Sequence, residues 1–218
     1  MNCLETIKQR KSIRSFTKEV PPQPLILECL EAASWAPNPT SQQPWQFIVL
    51  SGDSLKKVSE VIKETYSAAA GKTAPQFSEN SENARILEQR KKGNFSEMLG
   101  FLKEHHTDMT SLGEGNFNFH QAPLAIIFAT YPYKDQNYFK ATLSAMQTFM
   151  LAATACGLGT CWANSVSICQ DAIKKELRLQ DELILVDGIS VGYPDLEAPI
   201  NNVPRHRLPV EQVVSWLE

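Results

Sequence analysis

An α+β architecture is what the pattern of this chain predicts, on three observations. Four short runs rich in β-branched and aromatic residues are scattered among more numerous stretches of helical periodicity. One of those runs, 123–130, is apolar without interruption, as a strand covered on both faces must be. The single G-x-G, Gly157-Leu158-Gly159, follows a helix and precedes a strand, the reverse of the order in a dinucleotide fingerprint. A Rossmann sheet is therefore disfavoured. At 218 residues, 43% hydrophobic and 21% charged, the chain reads as one globular domain, 1–218.

The elements follow in order. Residues 5–10 form a short helix with its basic end at the C-terminus, where the helix dipole favours cations. Val20-Pro21-Pro22 breaks the chain, and Leu25, Leu27, Cys29, Leu30, Ala33 and Trp35 give a second helix over 24–35. Pro37-Asn38-Pro39 ends it. Residues 45–50 are a strand, closed by Ser51-Gly52-Asp53, and Asp53 caps a helix reaching about residue 66. The stretch 67–119 is polar, charged and punctuated by glycine. Helical patches at Ile86, Leu87, Met98, Leu99 and Leu102 make it a helical excursion or flap, with too few apolar residues for a core of its own.

The buried strand 123–130 comes next, then a helix over 137–156. That helix is apolar nearly all round in its second half, so it must be covered on every side, and a partner subunit could supply the second cover. Gly157 stops it. A strand over 160–166, a helix over 170–177 and a strand over 183–191 follow. A Pro- and Asn-rich arm runs through 192–209 with little reason to fold back alone, and 210–216 reads as a last helix; together they make a C-terminal arm over 192–218.

Charge and cysteine usage exclude several classes. A net charge of −3 leaves no excess of positive charge for nucleic acid or anionic lipid. The longest apolar runs fall far short of the roughly 20 residues that span a bilayer. Met1-Asn2-Cys3-Leu4-Glu5 is not an apolar signal region, so a cytoplasmic location is expected, with neither nucleic acid nor membrane as partner. Five cysteines without a C-x-x-C pair argue against a disulfide framework and against zinc or iron–sulfur sites. Cys156 and Cys161 read as reduced packing residues.

Four constellations carry candidate chemistry. Arg10-Lys11-Ser12-Ile13-Arg14 puts Arg10, Ser12 and Arg14 on one side if extended, and arginine suits a bidentate grip on phosphate. Taken alone, the pentapeptide reads more readily as a solvated basic face. Pro37-Asn38-Pro39-Thr40-Ser41-Gln42-Gln43-Pro44 makes a stiff loop, rich in hydrogen-bonding groups, directly before a strand. Gly157 to Ser165 brings backbone amides to a helix-to-strand return. Pro204-Arg205-His206-Arg207-Leu208-Pro209 is a second anion-binding candidate at the other end of the chain, or else a basic surface patch. Adjacent His105-His106 with Asp108 reads as solvated surface and not as a metal site, because ligand pairs on a helix need i, i+4 spacing. His120, just before the buried strand, is either a strand-end histidine, the plainer reading, or a wall of a ligand pocket.

Taken together these segments resemble the nitroreductase family. Arg10-Lys11-Ser12-Ile13-Arg14-Ser15-Phe16 resembles its R-R-S-x-R-x-F opening, and Ala36-Pro37 through Gln43-Pro44-Trp45 its A-P-S-x-x-N-x-Q-P-W block. The Gly157-Leu158-Gly159-Thr160 segment, Gly192-Tyr193-Pro194 and Arg205-x-Arg207-Leu208-Pro209 are similar to its later landmarks, in the same order. Only 67–119 is poorly covered.

The resemblance implies a central, mostly antiparallel sheet flanked by helices in an intertwined homodimer, with two FMN sites at the interface. Arg10, Lys11, Ser12, Arg205 and Arg207 would serve the FMN phosphate and ribityl chain, and Arg14 the pyrimidine edge, where a cation stabilises the charge of reduction. Pro37, Asn38, Pro39 and Ser41 would approach the partner's flavin, and Asn164 and Ser165 would sit beside N5. Of Asn116 and Asn118, Asn118 is taken as the pyrimidine contact. Lys11 stands where an arginine is common, Asn38-Pro39 where a Ser-Ser pair is, and Ser41, of shorter reach, where an asparagine is usual. The implied activity is ping-pong: NAD(P)H reduces the flavin, leaves, and a nitroaromatic, quinone or similar small acceptor takes two electrons, with no protein nucleophile or metal. A flavin-dependent dehydrogenase or reductive dehalogenase on the same scaffold, and a non-catalytic flavin-binding protein, are the alternatives. A phosphoprotein-binding module using both arginine clusters is a further one.

Overall fold

Four strands, β1 (Trp45–Ser51), β2 (Leu124–Thr130), β3 (Gly159–Ala163) and β4 (Ile184–Gly192), form one sheet in the order β1-β2-β4-β3, antiparallel throughout. The computed structural model of the chain describes residues 2–69, 81–107, 110–134 and 136–217. The expected flap at 67–119 thus falls partly, at 70–80 and 108–109, outside the described residues.

β2 is buried at every position, as its unbroken apolar run requires, because strands pair with it on both edges and helices cover both faces. Alternation along β2 divides the core. Leu124, Ile126 and Phe128 face α2 (Gln23–Ser34) and α6 (Asn137–Ala155), meeting Cys29 and Ala33 from one and Met146, Phe149 and Met150 from the other. Phe128 lies edge-on to Phe47 and Phe149, at 5.0 and 5.6 Å between ring centroids. Ala125, Ile127 and Ala129 face the opposite layer, where Val58 and Ile62 of α3 (Gly52–Ala69) and Ile173 of α8 (Gln170–Leu177) pack.

The N-terminal helix α1 (Cys3–Gln9) starts at Asn2, whose side chain accepts from the Glu5 amide while Glu5 returns a bond to the Asn2 amide. Beyond it the chain runs extended along β3: Ser12 bridges Thr160, and the Ile13 amide donates to the Thr160 carbonyl at 2.9 Å. Ile13 is buried directly over Gly159, where any Cβ would meet its side chain at 2.8 Å, so the second glycine of G-x-G is there for packing.

Two expectations change. The strand over 160–166 ends at Ala163, and the chain turns at Asn164 into a short helix, α7 (Ser165–Ile168). The tie that turns it is Asp187 of β4, which accepts from Trp162 Nε1 and from Ser167 Oγ, both at 2.7 Å. The last helix over 210–216 is only a single 3-10 turn, Val210–Gln212, and the whole segment is exposed. So short a helix needs an apolar surface to pack on, and this protomer offers it none. The middle of the excursion is one regular helix, α4 (Glu82–Glu104), capped by Ser81 and buried only at Leu102; α5 (Thr110–Gly115) follows it.

Candidate functional site

Asn201 decides where the two ends of the chain meet. It is 2% exposed; its Oδ1 accepts from the Arg14 and Ser15 amides at 2.7 and 3.2 Å. Its Nδ2 donates to the Ser15 and Asp195 carbonyls at 2.7 and 2.8 Å. Main-chain bonds from Thr17 to Tyr193 and from Asp195 to Ser15 complete the seam. The arm that had little apparent reason to fold back is held by a buried amide.

The consequence is a cavity of about 250 Å³ whose wall includes Arg10, Lys11, Ser12, Arg14, Arg205 and Arg207. Arg205 is fixed by donating to the carbonyls of Arg10 at 2.6 Å and Lys8 at 3.1 Å. Arg207 holds only the His206 carbonyl, at 2.7 Å. Among the described residues none of these five cations pairs with a carboxylate. The one acid on the wall, Glu97 of α4, is engaged by His206 Nε2 at 2.9 Å. Burial, then repulsion from Arg205 and Arg207, lowers the Arg10 pKa; burial and Arg205 do the same to Lys11. Cations packed until they depress one another are stabilised by an anion.

Arg14 and Ile200 also line a neighbouring cavity of about 660 Å³, with Lys18, Thr107, His120 and Gln121. That cavity in turn shares Gly52, Gln121 and Pro123 with a third, about 540 Å³, whose wall includes Asn118. The three form one trough leading away from the arginines. Its middle is shaped by a left-handed turn: Phe119, His120 and Gln121 have φ of 51, 54 and 54°. Each such residue costs roughly 1–2 kcal/mol, and such conformations gather at functional sites. The His120 ring packs against the Cα of Gly115, where a Cβ would collide with it. Burial, then Arg14, lowers its pKa to about 4. His120 is therefore a pocket wall, against the plainer reading of a strand-end histidine.

Of the other expected residues, Asn118 carries a buried Oδ1 without a partner among the described residues. Pro37, Asn38, Pro39 and Ser41 do not line the arginine cavity of this protomer. They stand in a turn that is exposed at Pro37 and Ser41 and half-buried at Asn38 and Pro39, with Thr40, Ser41 and Gln43 left-handed, closed by Asn38, which accepts from the Gln43 amide at 2.8 Å. Asn164 is exposed at the start of α7, and Ser165 is buried, donating to the Asn116 carbonyl at 2.6 Å. Cys161 lies beneath the arginines; burial raises its pKa against the opposing pull of Arg14, a Ser12 hydrogen bond and Arg10. His105 is exposed and bonded to the Phe101 carbonyl, and Asp108 lies outside the described residues. Sequence reasoning missed Asn201 and Asp187. The available signals were an Asn-Asn pair inside a Pro-rich arm and a lone acid inside an apolar strand.

Among the described residues no helix is long and apolar enough to cross a membrane. The model of the nitroreductase family matches residues 7–193. A chloronitrobenzene nitroreductase of Comamonas testosteroni is 25% identical over 217 residues, covering 98% of this chain and 96% of its own. The fold is shared with an FMN and NADPH-dependent nitroreductase from sphigopyxis sp. strain HMH at 22% identity and a TM-score of 0.84, over 100% of both chains. It is also shared with an FMN-dependent nitroreductase from Mycobacterium smegmatis, solved with NADPH, at 24% identity and a TM-score of 0.81, over 99% of this chain and 98% of that one.

Proposed function

This chain belongs to the nitroreductase family, and on that premise we propose that it is an FMN-dependent NAD(P)H oxidoreductase reducing nitroaromatics, quinones or related small acceptors by two electrons at a time. The observation that carries the reading is the convergence of Arg10, Arg14, Arg205 and Arg207 on one cavity with no carboxylate paired to them among the described residues. The residues present fit the cofactor. A phosphate answers the mutually repelling cations, and the orphaned Asn118 Oδ1 can accept from a ring N–H.

When bound, FMN supplies the hydride chemistry, taking electrons from a reduced nicotinamide and passing them to the acceptor. The chain's own residues bind and tune. Arg10, Lys11, Ser12, Arg205 and Arg207 hold the phosphate and ribityl chain, and Arg14, one residue beyond the buried Ile13, stabilises negative charge at the pyrimidine edge. Asn164 and Ser165 are assigned to the N5 side, held there through the Asp187–Ser167 bond and the Ser165–Asn116 bond. Pro37, Asn38, Pro39 and Ser41 are assigned to the flavin of a partner subunit, which makes the homodimer part of the proposal. The exposed Val213, Trp216 and Leu217, at 66, 90 and 95%, support an arm that packs on a second copy. A cytoplasmic location belongs to the same reading and is supported by five free cysteines, Cys3 among them exposed.

Absorption spectroscopy tests it. The purified protein is expected to be yellow, with FMN released on denaturation, and NADH or NADPH under anaerobic conditions should bleach it; a nitroaromatic then restores the colour. A colourless protein that FMN does not reconstitute ends the proposal. Colour that neither nicotinamide bleaches leaves a flavin-binding protein without this activity.

A further inference from the structure

We propose that Cys156 is an oxidisable site and Cys29 its resolving partner: hydrogen peroxide converts the Cys156 thiol to a sulfenic acid, which Cys29 closes into a disulfide joining α2 to the end of α6. The packing of the two helices brings the pair together. Cys29 and Ala33 lie one turn apart on α2, while Phe149, Ala153 and Cys156 follow at helical spacing on α6, and all five belong to one core cluster. Cys156 is thus the last position of the α6 stripe that packs towards α2. The two sulfurs are hydrogen-bonded to each other, which meets the geometric condition for a bridge. Of the remaining cysteines, Cys3 is exposed on α1, Cys161 lies beneath the arginines and Cys169 packs in the opposite layer.

Their surroundings give the two thiols different parts. Cys29 is fully buried, and burial, then Cys156 and Glu28, pushes its thiol up to about 12. It stays protonated and donates its S–H to Cys156. Cys156 is half-buried at the closed end of α6, where the Gly157 amide donates to the Thr154 carbonyl at 3.1 Å and the Leu158 amide to the Ala153 carbonyl at 2.8 Å. Its neighbours Ala155 and Gly157 are exposed, so a molecule as small as hydrogen peroxide reaches this sulfur first. The chemistry balances. The Cys156 sulfur takes one peroxide oxygen, the O–O bond breaks, and the thiol proton leaves with the other oxygen as water. The Cys29 sulfur then attacks the sulfenic sulfur, the S–O bond breaks, and the departing hydroxyl takes the Cys29 proton as a second water. Two thiols are oxidised by two electrons and one peroxide is reduced. A buried thiol is a slow nucleophile, and contact with its target offsets this because the resolving step is intramolecular.

Hydrogen peroxide added to the purified full chain, without nicotinamide, tests the site in a Cys3→Ser background that removes the exposed thiol. Free thiols counted after quenching and denaturation should fall by two. Non-reducing peptide maps should show Cys29 joined to Cys156, and dithiothreitol should restore both. Cys29→Ala should stop the reaction one step earlier, with a sulfenic acid on Cys156 that dimedone captures. That variant removes volume from the core, so Cys156→Ala, at the half-buried position, keeps the test independent of a folding defect; in it Cys29 should survive the same dose as a free thiol. Retention of both thiols, a bridge between other cysteines, or sulfinic acid on Cys156 beside a free Cys29 would overturn the proposal. So would the absence of a dimedone adduct in a folded Cys29→Ala, or its appearance on Cys29 in Cys156→Ala. No nicotinamide or acceptor enters the test, so the reductase reading stands or falls separately.

Discussion

Arginines do different work at different places in this cavity, and a substitution reads out the role only where the side chain has no second duty. Arg205 spends its donors on the carbonyls of Arg10 and Lys8, so reversing its charge would also loosen the C-terminal arm. Arg207 holds only its neighbour's carbonyl, and Arg10 lies among other cations that already lower its pKa. For these two, a change to glutamate removes a phosphate donor and adds repulsion. A charge-assisted bond contributes about 1.5–3 kcal/mol, so Arg10→Glu and Arg207→Glu should each weaken FMN binding roughly ten- to a hundredfold or more and purify mostly as apoprotein. FMN titration by fluorescence quenching checks this, with melting of the apoproteins as the control for folding. Full occupancy in both variants would remove these residues from the proposed site.

At the scale of elements, what holds the site is the seam between residues 14–17 and the first half of the arm, and its centre is one side chain. Removing Asn201 leaves two buried amides and two carbonyls to find partners elsewhere. At about 1–3 kcal/mol for a buried group left unpaired, Asn201→Ala should lower the Tm of the apoprotein by roughly 5–10 °C and loosen FMN with it. Asn202→Ala, whose exposed side chain donates to the Leu196 and Ala198 carbonyls and accepts from Lys11 Nζ, leaves no buried group unpaired and should cost clearly less of both. Equal melting of the two variants would mean that the seam has another anchor. The same seam marks the limit of what the sequence made legible. Elements whose cause is local were readable: the unbroken apolar run of β2, the proline stop after α2 and the glycine end of α6 each follow from neighbours in the chain. The two cationic segments were readable as phosphate candidates. That they meet was carried by the family resemblance alone, because the bond between Asn201 and Arg14 spans 187 residues and leaves no periodic trace. β3 was overextended for a related reason. Apolar Val166 continues the strand pattern, and the turn at Asn164 depends on Asp187, which only the folded sheet brings opposite. His120 was read as a strand end because nothing in its neighbours announces three consecutive left-handed residues.

For the whole molecule, the surface area argues that one protomer is an incomplete object. The chain exposes 13962 Å², whereas a compact monomer of its 24.4 kDa exposes about 10,000 Å². An excess near 4,000 Å² per protomer, about 8,000 Å² for a pair, lies at the upper end of what obligate subunits bury between them. It is partly apolar: Leu4, Ile7 and Trp35 are exposed near the N-terminal half, and Val213, Trp216 and Leu217 at the other end, where a helix was expected and only one turn formed. A segment that cannot pack on its own protomer acquires a reason for its sequence if it packs on a second one, in a symmetric exchange where each copy gives and receives the same arm. The full chain should then sediment at twice 24.4 kDa. A chain ending at Leu208 keeps Arg205, Arg207 and the Asn201 seam but loses the arm's apolar end. It should sediment as a monomer, or as a dimer that dissociates at micromolar concentration, and bind FMN weakly although every arginine of the cavity is present. Retention of both the dimer and full FMN occupancy by the truncated chain would show that the interface lies elsewhere, and that the exposed end of the arm has no part in the site.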